Sequence, residues 1–247
     1  AASNRLQLKI AVVEAFALPA PGALSYQPSY DARATALAYG SRVVYEAMGL
    51  WDTLQTHLSP ITTIHVSDKG HFGAARLHTA DEGVPALGYV VENHWLGRVL
   101  LDRIQQPDAS CIDLLCPAEV VDICYGAQQM GVTLQSAAGE QTLNAELVVM
   151  ADGGRSELRE RMGIGYRQRS YAQHAVIANV TPTQAHRGVA YERFTDTGPM
   201  ALLPLEDEAG SPRMGLVWTV PDAQVEEIMA LPDDAFCARL QERFGYR

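Results

Sequence analysis

The chain has 247 residues, of which 47% are hydrophobic and 19% are charged, as in an ordinary globular protein of one large or two modest domains. Its formal net charge of -10 argues against nucleic-acid binding and against a broad electrostatic membrane anchor, since both depend on clustered Lys and Arg. No stretch approaches the roughly 18 apolar residues of a membrane span, and the N-terminus lacks the pattern of a secretory signal.

The cysteines and histidines carry no recognisable site. The four cysteines show neither CxxC spacing nor a disulfide framework, and the seven histidines show no HExxH or other paired spacing. Reduced, buried cysteines are the ordinary interpretation, with a metal site as the weaker alternative. We therefore predict no metal and a cytoplasmic location.

The first half of the chain alternates strand and helix patterns. A β-branched apolar run at residues 8–13 predicts a buried strand that ends at Glu14. Apolar residues recur at helical spacing over residues 36–51, and again over residues 93–106 before Pro107. Residues 118–124 and 131–135 are typical of neighbouring strands, and residues 141–143 of a third after a turn.

The second half is mainly β. The pattern predicts an antiparallel sheet with strands at residues 174–180, 189–195, 199–205 and 214–220. Pro221 and Pro232 then open two helices, the second over residues 235–244. We divide the chain into an α/β domain of residues 1–165 and a sheet-rich domain of residues 166–247.

Glu14 is the first residue that suggests chemistry. An acid at the tip of an early buried strand is the part of a dinucleotide-binding fold that hydrogen-bonds a ribose hydroxyl. The phosphate-binding glycines belong roughly 20 residues upstream of such an acid. Only 13 residues precede Glu14, and the chain contains no GxGxxG. A solvated carboxylate at a strand end is the alternative interpretation.

Arg33 stands in the sequence Asp31-Ala32-Arg33 just before the helix predicted for residues 36–51. An arginine at a helix N-terminus can meet a pyrophosphate with a bidentate contact, while the helix end adds amide donors. A surface Asp-x-Arg pair is the alternative.

The segment of residues 145–164 combines an apolar run with an acid, two glycines and a helix. Residues 147–150 predict a buried strand, Asp152 and Gly153 the turn that follows it, and residues 156–162 the helix. The carboxyl ends of parallel strands border the ligand crevice in an open α/β sheet, so we expect Asp152 to lie there. A plain strand-to-helix turn capped by Asp152 or Ser156 is the alternative.

The two strands around residues 191–205 are apolar enough to line a pocket, although ordinary sheet core explains them equally well. The chain has neither a GxSxG elbow nor a GxxxxGK[ST] loop, which disfavours hydrolases and NTPases.

Taken in order, these features resemble the flavin-dependent aromatic hydroxylases of the para-hydroxybenzoate hydroxylase fold, in their ubiquinone-biosynthesis branch. Within that branch the likeness is greatest to the 2-octaprenyl-6-methoxyphenol hydroxylases. The matching residues span almost the whole chain: Val12-Val13-Glu14, Asp31 to Leu37, Gly49-Leu50-Trp51, Ile64 to His71, Val91-Glu92-Asn93, Ala151-Asp152-Gly153 with Ser156, Val176 to Val180, Glu192 to Thr195, and Gly198 to Leu205.

The resemblance implies a partial Rossmann-like FAD-binding domain, of α/β class within an α+β whole, followed by an antiparallel-sheet substrate domain. It implies that Glu14 holds the adenosine ribose and Arg33 the FAD pyrophosphate. Asn93 or Glu92, with Arg98 behind, would lie near the flavin. Other residues would position FAD and admit NAD(P)H: Asp152, Gly153, Ser156 and Arg159. The substrate wall would comprise Phe194, Met200, Leu202 and Pro204.

The implied reaction is monooxygenation. NAD(P)H reduces the flavin, O2 adds to give a flavin hydroperoxide, and its distal oxygen attacks a polyprenylated phenol. The protein then needs no catalytic nucleophile of its own. The resemblance leaves open peripheral association with a membrane or with a ubiquinone-biosynthesis complex.

Two departures from the family pattern affect the prediction. The N-terminal GxGxxG is missing, and so is the later Gly-Asp flavin motif. We therefore expect the middle of a longer enzyme, which by itself would neither bind FAD tightly nor turn over. Two alternatives remain open: another FAD- or NAD(P)-dependent oxidoreductase, such as a dehydrogenase using Glu14, and a non-catalytic fragment. The central expectation is that Glu14, Arg33 and Asp152 meet at one nucleotide cleft.

Overall fold

The computed structural model describes residues 8–18, 33–106, 111–153, 157–208 and 210–246. Its contacts divide the chain into two compact units, one of residues 1–29 and 101–169 and the other of residues 30–100 and 170–247. This division differs from the single boundary near residue 165 that the sequence predicts. Residues 30–100 join the C-terminal segment because the strand Thr63–Asp68 pairs with the strand Val189–Phe194.

The described residues form strands and helices that we number in chain order. The strands are β1 Ile10–Val13, β2 Ala34–Ala38, β3 Leu58–Ile61, β4 Thr63–Asp68, β5 Ala74–His78, β6 Gly88–Glu92, β7 Ile112–Leu115, β8 Glu119–Tyr125, β9 Met130–Ser136, β10 Gly139–Ala145, β11 Gln173–Val180, β12 Val189–Phe194, β13 Met200–Glu208 and β14 Ser211–Pro221. The helices are α1 Tyr39–Ala47, α2 Trp51–Leu54, α3 Thr79–Glu82, α4 Asn93–Ile104, α5 Glu157–Arg161, α6 Asp222–Met229 and α7 Asp233–Phe244.

The first unit contains a parallel pair and an antiparallel sheet. Strands β1 and β7 run parallel, with Val13 beside Leu115. Strands β8, β9 and β10 form an antiparallel meander, which confirms the predicted pairing of the first two. Its core is centred on Ile123, Val132 and Leu134. The alternating apolar residues of β9 supply this core because successive side chains of a strand point to opposite faces.

The second unit is built on a six-stranded sheet in the order β11-β14-β13-β12-β4-β5. The antiparallel run from β11 to β12 confirms the sheet predicted for the second half of the chain. Strand β4 then extends this sheet in parallel to β12, which brings residues far apart in sequence side by side. Such non-local pairing has no short-range sequence signal.

A smaller sheet, β2-β6-β3, belongs to the same unit. The helix predicted for residues 36–51 is wrong at its start, because residues 36–38 lie in strand β2 and the helix α1 begins at Tyr39. Strand β2 pairs antiparallel with β6, Leu37 beside Tyr89, so tertiary pairing overrides the helical pattern there.

Helices α6 and α7 cover one face of the large sheet. Ile228 of α6 and Leu240 and Phe244 of α7 pack in one cluster with Trp218 and Leu216 of β14. Both helices were predicted, and their apolar residues three to four apart form the stripe that this face requires. Among the residues that the structure describes, no helix combines the length and the apolar character needed to cross a membrane.

Candidate functional site

In the first unit, Glu14 follows the carboxyl end of β1. Its backbone amide donates to the Leu115 carbonyl at 3.0 Å, and its carbonyl accepts from the Ala118 amide at 2.9 Å. One carboxylate oxygen, Oε1, accepts a hydrogen bond from the Phe16 amide at 2.9 Å. Main-chain bonds on both sides therefore hold this partly exposed acid at the end of a parallel strand, where the sequence predicted it.

The segment before Asp152 differs from the prediction. Residues 147–150 are not in a strand in the described part of the chain. Val148 and Met150 pack into the core of the first unit, whereas Leu147 and Val149 are 75% and 76% exposed. Side chains of this segment thus point alternately inwards and outwards, as in an extended chain. Only one face is packed, and among the described residues no neighbouring strand pairs with the segment.

The turn after this segment carries Asp152 and Gly153, which are both exposed. Gly153 has a φ of +89°, a conformation that favours glycine and lets the backbone approach a ligand. Ser156 lies outside the described residues. Arg159 on α5 is partly buried, and its guanidinium carbon lies 4.0 Å from the centre of the Tyr166 ring.

In the second unit, the structure brings Arg33 and Asn93 together. Arg33 immediately precedes β2, Asn93 begins α4 directly after β6, and the Asn93 amide donates to the Arg33 carbonyl at 3.1 Å. The Thr35 hydroxyl donates to Asn93 Oδ1 at 2.6 Å. The pairing of β2 with β6 thus places an exposed arginine beside the first residue of a helix of 12 residues.

Glu92, the last residue of β6, is held in the unit by an ion pair with Arg213 and a polar contact with His94. Its Oε1 lies 3.0 Å from Nη2 of Arg213 on β14, and its Oε2 lies 3.4 Å from Nδ1 of His94. Arg98, the other predicted residue on α4, is partly buried. Glu92 therefore fastens the start of α4 to the large sheet. Asn93, rather than Glu92, is then the candidate for contact with a ligand at the helix start.

The predicted substrate residues fall on two faces of the large sheet. Met200 and Leu202 pack with Trp218 in the cluster under α6 and α7, and Met200 is 0% exposed. Pro204, two residues further along β13, is fully buried as well. For these three side chains the structure shows ordinary sheet core, the alternative that the sequence left open.

We call the opposite side of the sheet the open face. Within the second unit's described residues, the smaller sheet covers one end of it. There Ala190, Leu203 and Leu205 pack against Ile61 and Val90 of the smaller sheet. Beyond them one row of registered side chains crosses the open face, identified from strand alternation: Ile177, Val217, Ala201, Glu192 and Val66. Phe194 lies on the same face and is 52% exposed.

Comparison with known proteins decides the family. A family model described as "FAD binding domain" matches residues 25–246. The chain belongs to this FAD-binding family.

Two curated relatives of the family illustrate the similarity. The chain is 38% identical over 217 residues to a protein named ubiquinone hydroxylase UbiL from Rhodospirillum rubrum, covering 87% of the chain and 48% of the relative. It is 28% identical over 243 residues to the 3-demethoxyubiquinol 3-hydroxylase of Escherichia coli, covering 96% of the chain and 58% of the relative. The chain thus spans about half the length of the curated relatives it matches.

A solved structure supports the fold. The p-nitrophenol 4-monooxygenase PnpA of Pseudomonas putida superposes with a TM-score of 0.69 at 17% identity, over 97% of this chain and 57% of that one. The predicted fold class, an FAD-binding α/β fold with an antiparallel-sheet domain, is confirmed.

The donors and acceptors of this FAD-binding chain suit its family's cofactor. Glu14 offers a fixed carboxylate for ribose hydroxyls, Arg33 a cation for a pyrophosphate, and Gly153 a turn that a ligand can approach closely. These groups belong to different compact units, Glu14 and Gly153 to one and Arg33 to the other. Each unit by itself therefore carries groups of the types that a dinucleotide requires.

Electrostatics sets Glu192 apart on the open face. Burial raises the pKa of its carboxyl above the usual value. The sequence prediction named the neighbouring Phe194 as a substrate residue and did not name Glu192. The signal was present in the strand Tyr191-Glu192-Arg193, because alternation puts Glu192 on the face opposite Tyr191 and Arg193.

Proposed function

We propose that the protein is an FAD-dependent monooxygenase that hydroxylates a polyprenylated phenol in ubiquinone biosynthesis. The observation that carries this proposal is the 38% identity to a protein named ubiquinone hydroxylase, over 87% of the chain. The match of the family model over residues 25–246 supports the flavin, and the open apolar face supports a largely apolar substrate.

In the first unit, Glu14 would hold the adenosine ribose of FAD. Its carboxylate accepts hydrogen bonds only, and the Phe16 amide fixes one of its oxygens in place. Asp152 and Gly153 would border the cofactor, and Ser156 and Arg159 would help to position it. The positive φ of Gly153 is what allows the main chain to come close to a ligand there.

In the second unit, Arg33 would compensate the charge of the FAD pyrophosphate. Asn93 would present its side chain near the flavin ring, held in orientation by the hydroxyl of Thr35. Glu92 and Arg98 would act behind it, Glu92 by fastening the start of α4 to Arg213. FAD, once bound and reduced by NAD(P)H, supplies the oxygen-activating chemistry that no side chain can provide.

The open face would receive the phenol. Its apolar side chains, Ile177 and Val217 among them, exclude water from the ring and offer a surface to the polyprenyl tail. Phe194 would contact the ring or the tail at the exposed end of this face. Because a polyprenylated phenol dissolves in lipid, the proposal includes contact of a cytoplasmic protein with the membrane surface.

Turnover tests the proposal directly. The protein in which this chain occurs would be purified, saturated with FAD, and given NAD(P)H and a 2-prenylated phenol under isotopically labelled O2. We expect one labelled oxygen atom in the product by mass spectrometry. Nicotinamide binding with no bound flavin would overturn the proposal in favour of a dehydrogenase, and no binding of either would favour a non-catalytic role.

The role of Glu14 has its own test. Glu14→Ala removes an acceptor of charged hydrogen bonds and should weaken FAD binding by about 10- to 100-fold, measured by quenching of flavin fluorescence. Glu140→Ala, at an exposed position on β10 in the same unit, is the matched control and should leave FAD affinity unchanged. Equal affinities for all three proteins would remove Glu14 from the cofactor site.

A further inference from the structure

Glu192 is an acid in apolar surroundings. Its neighbours across the strands on the open face are Val66 of β4 and Ala201 of β13, and the next side chain on its own strand and face is Phe194. Within the described residues, the Glu192 carboxylate has no hydrogen bond or ion pair. A half-buried carboxylate without a partner is costly to fold, because burial disfavours its charged form.

Arg193, the residue after Glu192 on β12, has a hydrogen-bond partner for its side chain. On the helix-covered face, Arg193 Nη1 donates to Ser67 Oγ at 3.2 Å. Tyr191 packs there between the rings of His65 and Phe244, with centroid distances of 5.6 and 5.9 Å. Glu192 therefore differs from its sequence neighbours in lacking a partner, and a bound ligand is the natural source of one.

The surroundings define the chemistry of that ligand. A carboxylate among Val66, Ala201 and Phe194 is complementary to a molecule that is apolar over most of its surface and carries one hydrogen-bond donor. A cation would have to leave water for an apolar surface. The free-energy cost of that desolvation can exceed what one ion pair with Glu192 returns. The hydroxyl of a phenol, on an otherwise apolar ring, meets both requirements.

We propose that Glu192 accepts a hydrogen bond from the ring hydroxyl of the substrate phenol and so orients the ring on the open face. This inference rests on the proposed function. Glu192 would then touch the substrate directly, and the apolar side chains around it would strengthen the bond by excluding water.

The same contact can move a proton. In the proposed monooxygenation a ring carbon would bond to an oxygen that derives from O2, as the O–O bond breaks. The hydroxyl proton would then become more acidic and pass to a carboxylate oxygen of Glu192. The electron pair of the broken O–H bond stays on the ring oxygen. When the ring carbon loses its own proton to solvent and aromaticity returns, Glu192 gives the proton back to that oxygen. An interaction that strengthens along the reaction in this way accelerates it.

Binding without turnover tests the inference. The purified protein, saturated with oxidised FAD and without NAD(P)H, would be titrated with 2-allylphenol and with its methyl ether, 2-allylanisole. Binding would be followed by the change in flavin absorbance. The wild-type protein should prefer the phenol about 10- to 100-fold, the range expected for a hydrogen bond to a charged group.

Two variants separate a contact with the hydroxyl from a general effect on the fold. Glu192→Leu should bind the phenol as weakly as the ether, while its affinity for the ether stays within about 2-fold of wild type. Glu192→Gln, which keeps the shape and loses the charge, should show an intermediate preference. Glu226→Gln, at an exposed position on α6, is the control and should bind both probes as wild type does.

The outcomes distinguish a failure of the Glu192 role from a failure of the proposed monooxygenase function. Retention of the full preference for the phenol in Glu192→Leu would overturn the role of Glu192, while hydroxylation by the wild-type protein would still stand. If the FAD-loaded wild-type protein neither binds nor hydroxylates phenols, the proposed function falls and the role of Glu192 falls with it.

Discussion

The backbone amide of Asn93 donates to the carbonyl of Arg33, and the Thr35 hydroxyl donates to the Asn93 side chain from 58 residues away in sequence. Two predicted cofactor residues, from separate motifs, are thereby joined at one end of the smaller sheet. Their relative position depends on the pairing of β2 with β6, so changes in that pairing should affect both.

Removing the Thr35 hydroxyl should release the Asn93 side chain. For Thr35→Val we expect a loss of about 1 kcal/mol in the free energy of unfolding, the usual value for one hydrogen bond, and FAD affinity lower by roughly 3- to 10-fold. Thr56→Val removes a comparable hydroxyl, whose bond goes to the Thr53 carbonyl, and should leave FAD affinity unchanged. Chemical denaturation and flavin titration measure the two effects, and equal FAD affinities would contradict the role of Thr35.

The two faces of the large sheet should respond differently to truncation. Met200→Ala opens a cavity under α6 and α7 and should cost about 2–5 kcal/mol of stability. Ile177→Ala on the open face, where the side chain is 38% exposed, should cost less than about 1.5 kcal/mol but weaken binding of 2-allylphenol. Thermal unfolding and probe titration separate these effects. A stable Met200→Ala variant with impaired phenol binding would restore Met200 to the substrate wall.

The sequence predicted groups at the ends of elements better than it predicted faces. Glu14 after a strand and Asn93 at the start of a helix were predicted correctly in position, because the end of an apolar run and the start of a helix are short-range signals. Strand β13 reads Met200-Ala201-Leu202-Leu203-Pro204-Leu205, apolar on both faces, so alternation alone could not tell which face the helices cover.

Pairing between distant segments accounts for the other differences. Residues 36–38 are compatible with a helix, and only β6 makes them a strand. Strand β4 pairs with β12, and the hydrogen bond from Arg193 to Ser67 joins residues 126 apart in sequence. No local pattern in either strand predicts this pairing. The apolar run at residues 147–150 is extended, but a strand needs a paired neighbour, which its own sequence does not specify.

The close approach of β2 and β6 makes Gly88 sensitive to substitution. A Cβ at this position would lie 2.7 Å from the Leu37 carbonyl oxygen, so the strands must separate. We expect Gly88→Ala to lower the free energy of unfolding by about 1–3 kcal/mol and to weaken FAD binding through Arg33 and Asn93. Gly40→Ala is the matched control. It lies in α1, where a Cβ would meet no described atom within 4 Å outside its own helix. It should stabilise by up to about 1 kcal/mol. Equal stability of the two variants would contradict this account.

The carboxyl of Glu192 should make stability depend on pH. Burial raises its pKa in the folded protein above the ordinary value of 4.5, so the folded state holds the proton more tightly than the unfolded state. Stability contributed by this group is present below 4.5 and is lost as the pH rises through the folded pKa. Two other charged groups belong to the strands of this sheet. Asp68 is exposed, and its carboxylate lies 2.9 Å from His71 Nδ1. Arg213 forms an ion pair with Glu92.

Glu192→Gln cannot ionise, and its melting temperature should therefore exceed that of wild type at neutral pH. The difference should shrink towards zero as the pH falls below about 4. Glu226→Gln, at an exposed position on α6, is the control variant. Thermal melts at several pH values measure both. A lower melting temperature of Glu192→Gln at neutral pH would show that the carboxylate already has a stabilising partner in the folded protein. The acid would then carry no cost to stability, and the argument that a ligand supplies its partner would fail.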